Sequence, residues 1–356
     1  MKVCVLGDNL TSLALAKMLV NKGIAVDFYF EKKSINYSKS RTIGITKKNF
    51  EFFNYNISNI EKIIWKLTNI EIYSENLKNK KILTFKKKNS EIFSIIRNEQ
   101  LYEKLNGELN NNKLFSKKFI KNDDYSIIDQ YSLIFNCNKD HSITKKFFSK
   151  KIEKNYFSNA YTAIIKHKKI NNISAAQIFT KIGPIAFLPI SNFETSVVFS
   201  INNIKTVDIE FLIKKYNVKY SIIKILEKNS FELKSLNSRS YYYKNILCFG
   251  DLIHKIHPLA GQGFNMTIRD IDDLSKIIDD KIDLGLELNS SIFLEFEKKT
   301  KHKNYIFSQG IDLVYEFFNQ EKKFKGKLIS QSLKYLGENK YFNKIFSKLA
   351  DEGLPL

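Results

Sequence analysis

The residues best suited to chemistry lie in one short stretch of this sequence, GDLIHKIHPLAGQGFN, from Gly250 to Asn265. It holds two histidines, a proline, a glutamine and three glycines, in a chain that has only 13 glycines and 4 prolines. Glycine lets backbone N–H groups approach a ligand closely, and the start of a helix adds partial positive charge. The stretch therefore predicts a site for a flat ligand that becomes an anion, as a flavin ring does when it is reduced.

A second candidate site lies at the N-terminus, where KVCVLG predicts a buried strand that a helix and a second strand follow. Dinucleotide-binding turns follow the pattern G-x-G-x-x-G, of which only Gly7 remains here. Asn9 is expected to tolerate the positive φ of a missing glycine, Leu10 opens the helix, and Ser12 is small. Glu31 ends the second predicted strand, where a carboxylate can accept hydrogen bonds from both ribose hydroxyls of an adenosine. The alternative is an ordinary packing turn with a surface glutamate.

The elements that must position these residues form an α/β pattern. A buried strand is predicted near 131–138, another near 246–249, and a helix over 97–109. Residues 151–240 predict successive antiparallel strands. We therefore expect a Rossmann-like domain made of 1–70, 97–150 and 241–300, an inserted antiparallel β-sheet domain made of 71–96 and 151–240, and C-terminal helices over 301–356.

The fingerprint from Gly250 onward resembles that of the FAD-dependent hydroxylases of ubiquinone biosynthesis, which belong to the para-hydroxybenzoate-hydroxylase-like flavin monooxygenases. Other segments are similar to the same family in the same order: SRTIGIT with Arg41, RNEQLYEKL with Asn98, and GPIAFLPIS. The fingerprint residues are Gly250, Asp251, His254, His257, Pro258, Ala260, Gly261, Gln262, Gly263, Asn265, Arg269 and Asp270.

The resemblance implies a reaction. FAD is reduced by NAD(P)H or by an electron-transfer protein and reacts with O₂. The flavin C4a-hydroperoxide formed then hydroxylates the ring of a polyprenylated phenol on the way to ubiquinone. The family resemblance implies that the first domain, the Rossmann-like one, binds FAD and that the second, the inserted β-sheet domain, binds the substrate. It also implies site roles. Pro258 shapes the ring face where oxygen reacts, and His254 and His257 either tune a proton or, as we favour, pack. The implied cofactor-binding residues are Gly7, Asn9, Leu10, Ser12, Glu31, Arg41, Asn98, Gly250, Asp251, Pro258, Gly261, Gln262, Gly263, Phe264 and Asn265.

Two departures from the family pattern leave alternatives open. The first turn has lost two glycines, and the family's A-D-G motif is replaced by Cys137, Asn138 and Lys139. These changes put the electron donor and the strength of FAD binding in doubt. The chain is alternatively a non-catalytic member of a ubiquinone biosynthetic complex, or a flavin hydroxylase of another aromatic compound.

Composition bounds the remaining function classes. The formal net charge is +21, but lysines are spread along the whole chain, so codon bias explains the charge as well as an anionic membrane does. No nucleic-acid-binding signature or zinc-ligand spacing is present, so neither nucleic acid nor metal is expected. The three cysteines predict buried thiols in a reducing compartment.

Localisation follows from what the sequence lacks. With no signal peptide and no run of 18 apolar residues, a cytoplasmic protein is expected. A peripheral contact with the inner face of the membrane is a further expectation. The amphipathic pattern of KYFNKIFSKLADEGL indicates either an interfacial helix or one that packs on the body of the protein.

Overall fold

The computed structural model describes residues 1–31, 39–75, 80–86, 91–202, 207–258 and 261–323. The predicted fold class is confirmed: a Rossmann-like α/β unit carries an inserted, largely antiparallel sheet, and helices follow. The helices are α1 (Leu10–Asn21), α2 (Lys47–Asn56), α3 (Asn98–Asn110), α4 (Ile127–Gln130), α5 (Ser142–Phe147), α6 (Ile209–Tyr216), α7 (Gln262–Asp283) and α8 (Ser291–Lys323).

Seventeen strands are present among the described residues. They are β1 (Lys2–Leu6), β2 (Ala25–Phe30), β3 (Thr42–Thr46), β4 (Ile64–Leu67), β5 (Asn69–Ser74), β6 (Lys80–Lys86), β7 (Phe93–Arg97), β8 (Phe115–Phe119), β9 (Ile134–Asn136), β10 (Lys151–His167), β11 (Ser174–Thr180), β12 (Gly183–Pro189), β13 (Glu194–Asn202), β14 (Ile222–Ser238), β15 (Tyr242–Tyr243), β16 (Ile246–Cys248) and β17 (His254–Lys255).

The first sheet has six strands in the order β15-β16-β9-β1-β2-β8. Strand β1 is parallel to both β2 and β9, and β9 is parallel to β16, so the carboxyl ends of these four strands share one edge. Strand β1, with the sequence KVCVL, is buried on both faces from Val3 to Leu6, as a parallel strand covered by helices must be. The chain order reverses across β1, and ligands of open α/β sheets bind at such a switch point.

The second sheet has eight strands in the order β17-β14-β10-β13-β12-β11-β5-β6. Its neighbours are antiparallel except β11 and β5, which run parallel. Alternate residues of β10 face opposite sides: Ala163 and Ile165 lie in a core that α6 covers, whereas Tyr156 and Ala160 lie in a second core with α8. The face of Tyr156 and Ala160 is called the inner face below.

A third, three-stranded sheet, in the order β3-β7-β4, was not predicted. The sequence predicts that residues 71–96 belong to the substrate sheet, but only β5 and β6 join it, and β7 pairs with β3 and β4 instead. The physical reason is the fit between Gly44 and Phe93: a Cβ at Gly44 would lie 2.1 Å from the Phe93 ring, so the ring packs where only glycine leaves room. The domain boundaries as a whole stay a prediction.

The last two helices complete the described chain. Helix α7 packs on α1, β3 and α8, and α8 reaches the inner face of the large sheet through Tyr315. None of the described helices has both the length and the apolar character needed to cross a bilayer. The predicted interfacial segment near the C-terminus lies outside the described residues.

Candidate cofactor and active site

The turn between β1 and α1 differs in detail from the sequence prediction. Gly7 has φ +117°, and a Cβ there would lie 3.0 Å from the backbone of Cys137. Asn9 has φ −146°, so the expectation that it takes a positive φ is wrong. It is instead the N-cap of α1: its Oδ1 accepts from Ser12 N at 3.0 Å, and Ser12 Oγ accepts from Asn9 N at 2.9 Å. This is a capping box, which stabilises a helix start without glycine.

The cap leaves part of the helix start available to a ligand. The first N–H groups of a helix have no partner inside it. Within the described chain, the N–H groups of Leu10 and Thr11 face no protein acceptor, because the cap satisfies only Asn9 and Ser12. Two free N–H groups at the positive end of a helix dipole suit the pyrophosphate of a dinucleotide.

The carboxyl ends of β1, β2 and β9 are tied together by two asparagine side chains. Asn138 Nδ2 donates to Glu31 Oε1 at 2.7 Å, and Asn9 Nδ2 donates to the Cys137 carbonyl at 2.9 Å. The replaced motif is therefore ordered and hydrogen-bonded in this protein. Through Asn138 it links Glu31, the residue predicted to bind the ribose, to the turn at Gly7.

The turn after β16 packs against the start of α1. Gly250 has φ +64°, and a Cβ there would lie 2.6 Å from Thr11 Cγ2. Asp251 follows at the surface, and no described residue donates a hydrogen bond to its carboxylate. Burial, and in second place the negative charge of Asp251, raises the pKa of the Cys137 thiol. An exposed carboxylate beside the strand ends is suited to hold a polyol chain such as the ribityl group.

The predicted flavin turn is clamped by Asn265, whose side chain is fully buried. Its Oδ1 accepts from Thr46 N at 3.0 Å and from Asn49 Nδ2 at 2.9 Å. Its Nδ2 donates to the carbonyls of Gly44 at 2.9 Å and Gly261 at 3.0 Å. An amide can make four such bonds, so none remains for a ligand. Asn265 therefore shapes the turn and does not present its amide to the cofactor.

The neighbouring residues of α7 differ in how they face their surroundings. Gln262 is buried, and its Oε1 has no donor within the described chain. Gly263 is exposed and open, and Phe264 packs on Phe53 with ring centroids 6.5 Å apart. Gly261, at φ +65°, lies against Gly44. The turn thus offers a buried acceptor and bare backbone, while Phe264 serves the core.

Arg41 and Asn98 lie together at the start of α3. Asn98 N donates to the Arg41 carbonyl at 3.1 Å, and Asn98 Oδ1 is buried without a partner among the described residues. The Arg41 guanidinium lies over the Phe231 ring at 5.1 Å, on the side of the inner face. Asn98 Oδ1 is thus a second orphaned acceptor, and Arg41 brings positive charge to the junction of the two sheets.

His254 is part of a buried structural network. Its Nε2 lies 2.5 Å from Asp270 Oδ2, and Asn304 Nδ2 donates to the other oxygen of Asp270 at 2.9 Å. All three side chains are buried. The network joins β17, α7 and α8, which agrees with the packing role favoured for His254.

His257 and Pro258 lie where the flavin turn meets the inner face. The His257 ring stacks on Tyr315 with centroids 4.2 Å apart and meets Tyr156 edge-on at 5.0 Å. Tyr156 Oη donates to Asp312, and Tyr315 Oη donates to Asn202 at 2.9 Å. Burial raises the pKa of Asp312 and of both tyrosines. Pro258 is half-buried beside this aromatic cluster.

The loop that carries Asn138 depends on a neutral histidine. His141 Nδ1 accepts from Ile143 N at 3.3 Å and caps α5, while its Nε2 lies 3.2 Å from the Lys121 carbonyl, which assigns the proton to Nε2. Burial lowers the pKa of His141, although the Lys121 carbonyl and nearby carboxylates oppose it. Protonation of Nδ1 removes the cap.

We expect the free energy of unfolding to decrease as the pH falls below the ordinary range of histidine, because the unfolded chain then binds more protons than the folded one. Loss of a cap costs about 1 kcal/mol. His141→Asn keeps a capping side chain that cannot titrate, so urea unfolding between pH 7.5 and pH 5 should show a smaller decrease for this variant. Parallel pH profiles for the two proteins would contradict the assignment.

Several contributing residues were not singled out from the sequence. Thr11 packs on Gly250, Asn49 helps to hold Asn265, and Tyr102 Oη donates to Asp8 Oδ1 at 2.6 Å. Thr11 and Asp8 lie in the turn between β1 and α1, so the glycine of that turn, Gly7, marks their position in the sequence. The aromatic cluster joins residues far apart in sequence, and no local pattern marks it.

The hydrogen-bond donors and acceptors of the site residues fit FAD. Free N–H groups of α1 suit a pyrophosphate, and Gly250 and Gly261, both at positive φ, present bare backbone at the cradle. Gln262 and Asn98 bring buried oxygen acceptors without donors. The capping box around Asn9 satisfies the N–H groups of Asn9 and Ser12, but it leaves those of Leu10 and Thr11 available to a ligand.

Comparison with known proteins agrees with this site. Residues 210–282, which contain the Gly250–Asn265 stretch, match the family model described as FAD binding domain. The 3-demethoxyubiquinol 3-hydroxylase of Escherichia coli is 28% identical over 156 residues, 41% of this chain and 40% of that protein. Over this segment the chain is therefore similar to FAD-binding domains, and it is similar to a hydroxylase of ubiquinone biosynthesis. The predicted family resemblance and the predicted cofactor, FAD, are confirmed.

Other similar proteins extend the comparison. The mitochondrial ubiquinone biosynthesis monooxygenase COQ6 of Caenorhabditis elegans is 24% identical over 215 residues, 47% of this chain and 48% of that protein. The matches therefore span less than half the length of these two relatives. Among solved structures, p-nitrophenol 4-monooxygenase PnpA from Pseudomonas putida DLL-E4 superposes with TM-score 0.78 at 9% identity, over 98% of both chains. Klebsiella pneumoniae HpxO, complexed with FAD and uric acid, gives 0.75 at 11% over 98% of this chain and 97% of that one. At these identities the superpositions support the fold.

Proposed function

We propose that this protein is an FAD-dependent monooxygenase that hydroxylates the aromatic ring of a polyprenylated phenol on the route to ubiquinone. The observation that carries the proposal is the turn from Gly250 to Asn265. It lies beside the carboxyl edge of the parallel strands, within the segment that matches the FAD binding domain model. It also faces an aromatic cluster on the inner face of the second sheet.

The cofactor-binding roles can be divided along the edge of the first sheet. We assign Glu31 to accept from the adenosine ribose, and the N–H groups of Leu10 and Thr11 to donate to the pyrophosphate. We assign Asp251 to accept from the ribityl hydroxyls. Bound FAD supplies the electron transfer and the activation of O₂.

We assign the binding of the flavin end of FAD to the turn at Gly261. Its backbone and Gln262 border the ring edge, and Asn265 keeps the turn against Gly44. The positive end of α7 favours negative charge on a reduced ring. These residues orient the cofactor and exclude water, which is what the protein contributes to such chemistry.

The substrate ring is proposed to lie between this turn and the inner face. Pro258 and His257 form one wall, and Tyr156 and Tyr315 support His257 from behind. The surrounding core is apolar, which suits a phenol with an apolar tail. Arg41, over Phe231, gives the junction positive charge and can attract a phenolate. Packing on Tyr315 and Tyr156 agrees with the structural role favoured for His257, and we keep the holding or passing of a proton near the phenol as its alternative role; His254 is assigned a packing role.

Partners and localisation follow from this chemistry. The substrates are the polyprenylated phenol and O₂, and the reductant is NAD(P)H or an electron-transfer protein. A polyprenyl tail resides in the bilayer, so we propose a cytoplasmic protein that contacts the inner face of the membrane, within reach of other ubiquinone biosynthetic enzymes. The net charge of +21 favours an anionic surface.

The first test is FAD retention, with Asp251→Asn as the probe. The purified chain is incubated with FAD and desalted, and its absorption spectrum and FAD dissociation constant are measured. We expect the wild type to retain flavin and Asp251→Asn to bind about tenfold more weakly, because one charged hydrogen bond to the ribityl chain is lost. Since Asp251 has no hydrogen-bond partner within the described chain, the unfolding free energy of the Asp251→Asn variant should equal that of the wild type.

Asp129→Asn, an exposed carboxylate in α4, is the matched control and should bind FAD as the wild type does. A folded wild type that retains no flavin would refute the proposed enzyme. If Asp251→Asn retained flavin as well as the wild type does, only the proposed contact between Asp251 and the ribityl chain would be refuted. Substrate is then tested in a deletion strain, where a prenylated phenol precursor should accumulate in the lipid extract.

The capping box at Asn9 favours a second candidate, a non-catalytic member of a ubiquinone biosynthetic complex. It satisfies two N–H groups that a glycine-rich turn leaves to the cofactor. A folded, colourless protein that a deletion strain still requires for ubiquinone would support this candidate over the enzyme.

A further inference from the structure

Asn138 is held by four hydrogen bonds at the ligand edge of the first sheet. Its Nδ2 donates to Glu31 Oε1 at 2.7 Å, and its Oδ1 accepts from Asp140 N at 3.0 Å. Its own N–H donates to Asn136 Oδ1 at 3.0 Å, and its carbonyl accepts from Thr144 Oγ1 at 2.6 Å. Every polar group of this residue except one amide hydrogen is therefore engaged, so its position is rigid.

We propose that Asn138 is a positioning residue for the adenosine end of FAD, and that it acts through Glu31. The inference rests on the proposed function, because it needs a cofactor whose ribose faces Glu31. By anchoring one oxygen of the Glu31 carboxylate, Asn138 fixes the side-chain rotamer before the ligand arrives. A group ordered in advance loses less conformational entropy on binding.

In this chain the amide suits the short distance to Glu31, because Nδ2 donates to the carboxylate at 2.7 Å. An aspartate at position 138, as in the family pattern, would bring a second carboxylate within hydrogen-bonding distance of the first. Two like charges at this separation repel strongly in a partly buried site. In this chain Asn138 and Glu31 therefore form a matched pair, and the changed motif is compensated by this pairing.

The backbone around this pair explains why the geometry cannot relax. A Cβ on Gly7 would lie 3.1 Å from Asn138 N and 3.3 Å from its Cβ, so the loop after β9 packs directly on the turn after β1. Asn9 Nδ2 also holds the Cys137 carbonyl at 2.9 Å. A charge placed at 138 cannot move away without displacing the turn that faces the pyrophosphate.

A charge swap tests the inference. The variants are Asn138→Asp, Glu31→Gln and the double variant, in which the new amide at position 31 can donate to the new carboxylate at position 138 and restore the hydrogen bond with reversed roles. We expect each single change to weaken FAD binding about tenfold, and the double variant to bind at least tenfold more tightly than the product of the two effects predicts. ADP, added as a competitor, should lose affinity in parallel, because it carries only the adenosine half.

Asn122→Asp makes the same chemical change at an exposed position of the neighbouring loop, where the oxygen accepts from Ser142 N. It should leave FAD affinity within about twofold of the wild type. Thermal unfolding of each ligand-free variant separates misfolding from lost binding. The inference would be overturned if the loss of FAD affinity in the double variant equalled the product of the losses in the two single variants. It would also be overturned if Asn138→Asp bound FAD and ADP as the wild type does. In both cases the proposed function would stand. A wild type that binds no FAD would overturn both.

Discussion

Gly250→Ala should abolish tight FAD binding and lower the free energy of unfolding. An L-residue at φ +64° costs about 1–2 kcal/mol. The added methyl group would lie 2.6 Å from Thr11 Cγ2 and 3.0 Å from Thr11 Oγ1, and relieving such a clash costs about 1–3 kcal/mol more. Because Thr11 carries one of the two N–H groups proposed for the pyrophosphate, the displacement reaches the cofactor. We expect FAD affinity to fall at least tenfold.

The chain offers a matched control for this experiment. Gly285 has the same φ, +64°, but no atom lies within 4 Å of an added Cβ. Gly285→Ala therefore carries the conformational cost alone, and its FAD affinity should not change. Thr11→Ser in the Gly250→Ala background removes the methyl group that clashes, so it should recover part of both losses in urea unfolding and FAD titration. Equal behaviour of the two alanine variants would show that the packing on α1 does not matter.

The comparison of Gly250 with Asn9 shows what local sequence can predict. The strand–helix–strand pattern and its parallel pairing follow from apolar periodicity, and the structure has them at β1, α1 and β2. The position of Gly250 at a ligand edge followed from the strand before it. For Asn9, two local solutions exist for one residue type, positive φ or a helix cap, and the choice depends on Ser12 and on the Cys137 carbonyl. The Ser12 partner is local, whereas the Cys137 carbonyl is remote in sequence and gives no local signal.

The polar side chains of the site were harder to predict, because a motif gives a residue's place without its partners. At Asn138 the sequence shows only that the acid of the family motif is replaced, whereas the structure pairs Asn138 with Glu31. The cluster around His257 depends on contacts among residues 156, 257 and 315 that only the packing of α8 on the second sheet creates. The third sheet was missed for a similar reason, since the pairing of β7 with β3 depends on Phe93 finding Gly44.

Asn265 shows the same limit most clearly, and it gives the second large prediction. Asn265→Asp keeps the shape of the side chain but replaces its donor by a carboxylate oxygen that faces the carbonyls of Gly44 and Gly261. Two hydrogen bonds are lost, which leaves the buried Gly44 carbonyl unpaired at about 1–3 kcal/mol and the partly buried Gly261 carbonyl unpaired at a smaller cost. The buried charge adds several kcal/mol more. We expect at least about 4 kcal/mol of lost stability at neutral pH, with FAD affinity reduced at least a hundredfold.

The pH dependence and the ligand fragments make this prediction specific. Burial among acceptors would raise the pKa of the new carboxyl, so the variant should regain stability as the pH falls and the carboxyl becomes a donor. Asn59→Asp, at an exposed site where the oxygen only accepts from Glu61 N, should show neither effect. ADP should still bind the folded Asn265→Asp chain, since the adenosine end is held at Glu31 and α1. An unchanged unfolding free energy and FAD affinity would mean that Asn265 does not hold the two sides of the flavin turn together.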